Sequence, residues 1–93
     1  MHNFILTENG STQINKGHKD ARSAVYTSGT LGVAAVATIS YKNAAGSYIP
    51  FTDGLLVIGD QIHVDHGIGV DIYVVLSNVD VTTSVEVMCA AVD

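Results

Sequence analysis

The stretch "VDIYVVLSNVDVTTSVEVMCAAV", residues 70–92, constrains the fold most. Val70, Ile72, Val74 and Leu76 share one face of an extended chain, and Val85, Val87, Cys89 and Ala91 share another, with Glu86 opposite. Apolar side chains at every second position set one face of a strand against a core. Tyr73, Val75, Met88 and Ala90 are apolar on the other faces as well. Such two-sided strands are either central in a sheet or covered by a neighbouring subunit, and central strands are the commoner case.

The rest of the chain repeats the same theme at short intervals. "NFILTE", then Asn-Gly, then "STQIN" reads as a β-hairpin, because Asn-Gly supplies the positive φ angles of a type I′ turn. Lys16 to Arg22 is polar and aperiodic, hence a loop, and "SAVYTSGT" is a short strand ending at a Ser-Gly turn. "VAAVATISYK" alternates, with Ala35, Ala37, Ile39 and Tyr41 on one side and Ala34, Val36, Thr38 and Ser40 on the other. Gly32 ahead of it and its β-branched end favour a strand over a helix. "NAAG" turns the chain into "SYIPFT", where Pro50 requires an edge strand, and "TDG" at 52–54 reads as a turn. "LLVI" and "QIHVDH" follow as strands around Gly59-Asp60. The sum is about eight strands with no helix, repeat or linker: an all-β chain, one antiparallel β-sandwich domain over 1–93, jelly-roll-like. A closed barrel is the alternative.

A domain of 93 residues has a thin core. Disulfides cannot reinforce it, since Cys89 is the only cysteine. Self-association or a metal would then be the expected aid. With 4 basic against 9 acidic residues, the net charge is −5. Lys16, Lys19, Arg22 and Lys42 are the whole basic supply, too few for a phosphate-binding stripe, so neither nucleic acid nor an anionic membrane is an expected partner. The apolar run Leu31 to Ala37 is far short of the ~20 residues of a membrane helix. "MHNFILTENG" lacks the features of a signal peptide, and "CAAVD" is one residue too long for a prenylation box. Both point to synthesis in the cytoplasm with a reduced thiol.

"DQIHVDHG" carries the densest chemistry, with His63, Asp65 and His66 in four residues. A zinc or copper ion needs imidazoles that converge. On a strand His63 and His66 face opposite ways, so a polar strand end running into a glycine bend is the simpler reading. Cys89 falls mid-strand on the core face, where it acts as a small apolar residue. No G-x-S-x-G is present, and Asp53, Asp60, Asp65 and Asp71 sit at expected turns. "GIGVDI" lacks the third glycine of a dinucleotide loop. No catalytic, cofactor or metal residues are therefore assigned, and an enzyme is not expected. Tyr41, Tyr48 and Phe51 could form a sugar platform, although a hairpin packing its own aromatics is the plainer reading.

The order "LTENGSTQI…G…VYTSGTLGVAAVATISY…G.YIPFTDG…G…VDIYVVLSNV…TSVEVMCAAV" resembles small β-sandwich virion proteins of tailed bacteriophages, across Leu6 to Val92. In place of their Asp-Gly-Gly type of hairpin this chain has "NAAG". The resemblance implies a capsid cement or decoration protein that bridges capsid subunits on the outer surface of the head. A small head or tail attachment module is the alternative, and a carbohydrate-binding sandwich a further one. The implied partners are the major capsid protein or another virion protein, and further copies of the chain, a trimer being favoured. Contacts are expected at Phe4, Ile5 and Leu6, an apolar segment near a chain end, and at Tyr48 and Phe51 on the aromatic hairpin.

Overall fold

The computed structural model describes residues 2–16 and 21–92. The strands run in order β1 (His2–Leu6), β2 (Gly10–Gln13), β3 (Arg22–Thr30), β4 (Val36–Lys42), β5 (Tyr48–Leu55), β6 (Gln61–Asp65), β7 (Ile72–Ser77) and β8 (Ser84–Val92). They form two four-stranded antiparallel sheets, β1-β8-β3-β6 and β2-β7-β4-β5. The two sheets are separate and packed face to face, so the molecule is a sandwich and not a barrel.

The pairings are nested: β1 with β8, β2 with β7, β3 with β6 and β4 with β5. This is the jelly-roll order, a long ladder of strands folded over on itself. Only the β4–β5 ladder joins consecutive strands. Every other ladder closes a long loop, and local sequence carries no record of it.

Inner faces alternate as the spacing predicts. Val25, Val85, Val87 and Cys89 from one sheet meet Ala37, Ile39, Ile72, Val74 and Leu76 from the other, all buried. Ile14 and Leu56, on connecting segments, plug the same cluster. β7 lies between β2 and β4, and β8 between β1 and β3. Their two-sided apolar character thus follows from central positions, with Tyr73, Val75, Met88 and Ala90 half-buried on the outer faces. Pro50 falls on β5, an edge strand, as its missing N–H requires.

Four local readings are corrected. β1 and β2 are not a hairpin, because they belong to different sheets. Gly10 has φ 141° but Asn9 is not in the positive-φ region, so no type I′ turn forms. The Ser-Gly pair at 28–29 does not end its strand. Gly29 takes φ 97° and β3 continues to Thr30, hard against β8, where a Cβ on Gly29 would collide with the Ser84 carbonyl oxygen. Thr52-Asp53-Gly54 lies inside β5, beside a register shift between Thr38 and Ser40. "LLVI" is no separate strand: Leu55 ends β5, and Leu56 turns inward in the connection to β6. Of the loop expected over Lys16 to Arg22, residues 17–20 lie outside the described residues, and Arg22 already begins β3.

Candidate interaction surface

The antiparallel registers gather four connections at one end of the sandwich: residues 7–9, 31–35, 56–60 and 78–83. Each of these carries the chain from one sheet to the other. Two bear valines that are wholly in water, Val33 at 105% relative exposure and Val81 at 104%. Val57 on a third is half-exposed.

The loops that carry the valines are short and fastened together. The Asp80 carboxylate accepts hydrogen bonds from the Thr82 amide at 2.9 Å and from the Thr82 and Thr83 hydroxyls at 2.6 and 3.2 Å. These bonds favour the ionised form and hold its pKa below the ordinary value of 3.8. The Thr83 oxygen in turn accepts the Gly32 amide at 3.2 Å, which ties residues 78–83 to residues 31–35. Gly32 permits this closeness, since a Cβ there would stand 2.5 Å from an Asp80 carboxylate oxygen. Asn9 accepts the Val79 amide at 3.1 Å and joins the 7–9 turn to the same group. Thus the polar groups brace the loops while the valines point outward. Glu8, Asp60 and Asp80 lie on these connections and no Lys or Arg does. The described cations, Lys16, Arg22 and Lys42, belong to the opposite end.

The five residues expected to make contacts do not form one surface. Phe4 and Leu6 are half-buried and pack against the core, leaving Ile5, 72% exposed, as the outward member of β1. Phe51 also packs against the core and meets Tyr41 edge-on, ring centres 5.3 Å apart. Tyr48 lies on the outer face of its sheet, edge-on to Tyr73 at 5.2 Å, with the Ser11 hydroxyl donating to its oxygen at 2.8 Å and Lys42 Nζ 5.6 Å from the ring centre. β5 lies beside β6, at the margin farthest from β1, so the two named segments sit on opposite sides of the sandwich. Tyr41, Tyr48 and Phe51 share no common platform, because the first and last pack together inward and Tyr48 packs outward. Sequence reasoning placed Val33 at the start of a strand, but β4 begins only at Val36 and residues 33–34 form a turn; it passed over Val81, a valine in the turn chemistry of "DVTT".

His63 and His66 diverge. His63 is exposed and hydrogen-bonded to Gln61 at 3.0 Å, whereas His66 is buried. The Gly67 carbonyl can only accept, so His66 Nδ1 donates to it at 2.8 Å. In the neutral ring Nε2 then accepts, and the Ser23 hydroxyl donates to it at 2.8 Å. Ser23 also hydrogen-bonds the buried Cys89 thiol, whose pKa burial pushes upward. Cysteine, serine and histidine are therefore in contact, but Ser23 and Cys89 have no exposed surface. Nothing in solution reaches either nucleophile, and the trio serves as a buried polar tie between β3, β8 and the end of β6. No three His, Cys, Asp or Glu among the described residues are grouped to hold a metal. Among the described residues no helix is long and apolar enough to cross a membrane.

No protein-family model, curated protein or solved structure matches the chain.

Proposed function

We propose that this chain is a virion structural protein, a capsid cement or decoration module that docks by its valine-tipped end on the major capsid protein or another virion protein. The observation that carries the reading is the pair Val33 and Val81, fully exposed on loops that hydrogen bonds hold rigid. Burying one such side chain is worth about 1.5–3 kcal/mol. A loop already fixed in shape loses little conformational entropy when it docks. The acidic, cation-free border adds charge selectivity, favouring a partner patch rich in Lys and Arg.

The work done would be cooperative burial. Each copy covers surface on adjacent capsid subunits, a stable contact of this kind burying roughly 1,200–2,000 Å². Opening the shell then requires many such contacts to break together. The outer capsid surface is the location that suits this role. The test is sedimentation of undecorated heads, built from the major capsid protein of the source phage, after mixing with this protein. Saturable co-sedimentation with a rise in head-rupture temperature is the expected result. No binding above that to an unrelated particle would remove the reading.

A further inference from the structure

Four strands lie at the margins of the two sheets, β1 and β6 in one and β2 and β5 in the other. An open margin presents backbone donors and acceptors to any other strand, and natural sheets guard against this with charge, proline, bulges or brevity. β5 is guarded by Pro50 and by its register shift. β6 carries Asp65, and β2 has four residues beginning with glycine. β1 is different. Its sequence, "HNFIL", has no proline, Lys, Arg, Asp or Glu, and its register with β8 is unbroken over all five residues.

We infer that β1 pairs antiparallel with β1 of a second copy about a two-fold axis through Phe4, joining two four-stranded sheets into one of eight strands. In that register Phe4 faces Phe4, Asn3 faces Ile5 and His2 faces Leu6. No like charges can meet across such a pair, since β1 bears no carboxylate, Lys or Arg. The symmetric pair also covers what the monomer leaves open. Phe4 and Leu6 are only half-buried against the core, and Ile5 is 72% exposed. An aromatic pair at the axis adds its own attraction. A two-fold pair replaces the three-fold assembly that the resemblance implies, and it gives a thin core the support its size calls for. The inference does not rest on capsid docking, since β1 lies along a sheet margin and the valines lie at the loop end.

The register supplies its own test, because Asn3 and Ile5 are both exposed and face each other across the axis. Light scattering over a dilution series should show wild type as a dimer. Asn3→Lys with Ile5→Lys opposes two lysines twice per dimer and should weaken pairing about tenfold or more, to a folded monomer. Asn3→Glu with Ile5→Lys opposes unlike charges at the same places and should restore the dimer. Circular dichroism of all three checks that the fold is kept. A wild type that is monomeric at millimolar concentration or trimeric, a dimer that survives the double lysine, or a Glu/Lys variant that fails to pair would each overturn the inference.

Discussion

At the end of the sandwich built from residues 14–16, 43–47 and 66–71, polar side chains go inside. Asn15, 4% exposed, accepts the Ile72 amide at 2.9 Å and donates to the Val70 carbonyl at 2.8 Å, clamping the entry to β7. The amides of His66 and Gly67 both reach the Ala21 carbonyl, and the His66 ring is held by Ser23. At the opposite end Thr83 is as buried as Asn15, but Asp80 and Asn9 do comparable work from exposed positions, and valines are left in water. A buried polar group that loses its partner costs its full desolvation. An exposed one can turn to water instead. The first end therefore anchors the fold, and the second is free to serve a partner.

The contrast can be attacked by substitution. The largest effect is expected from Asn15→Ala, which leaves the buried Ile72 amide and Val70 carbonyl without partners. The loss should be about 3 kcal/mol, read from urea unfolding. Ser23→Ala removes the hydroxyl that caps His66 Nε2 and should cost about 1–2 kcal/mol by the same measurement. Gly32→Ala drives a methyl toward the Asp80 carboxylate, but what it meets is the end of an exposed side chain, which can swing aside into water. About 1 kcal/mol is expected, with faster hydrogen exchange confined to residues 78–83. If Gly32→Ala proved as costly as Asn15→Ala, the division between an anchoring and a presenting end would fail.

Asp80 gives the smallest change, and its sign is fixed. Folding lowers its pKa below 3.8, so its contribution to stability is present above that value and is lost as pH falls through the folded-state pKa. Asp80→Asn should be less stable than wild type at neutral pH, and the difference should vanish in strong acid. A difference that grows on acidification would contradict the hydrogen-bonding assigned to this carboxylate.

Much of the sandwich was legible because side-chain alternation is a local property. Val36–Ile39, Ile72–Ser77 and Ser84–Ala90 present the faces their spacing dictates, while Tyr41 and Ala91 at the strand ends are exposed, and Pro50 marks its own edge. What escaped is what depends on distant chain. Asn9-Gly10 looked like a hairpin because nothing nearby says that β1 belongs with β8 and β2 with β7. Gly29 and Gly54 looked like turns, whereas each allows close backbone approach, to Ser84 and to Ile39. The contact residues were read from apolar or aromatic character and from place along the chain. Phe4, Leu6 and Phe51 face the core from strands at sheet margins, and only tertiary structure distinguishes them from Val33 and Val81, which have nothing over them.

The claim that the valine end is the docking end is tested most directly by comparing two variants on the same capsids. Val33→Asp with Val81→Asp alters two fully exposed side chains, and Ile68→Asp alters one that is 77% exposed at the anchoring end. Both should unfold within about 0.5 kcal/mol of wild type. The account predicts that the double variant loses co-sedimentation while Ile68→Asp binds as wild type does. Binding that survives the double variant, or that falls only with Ile68→Asp, would contradict it.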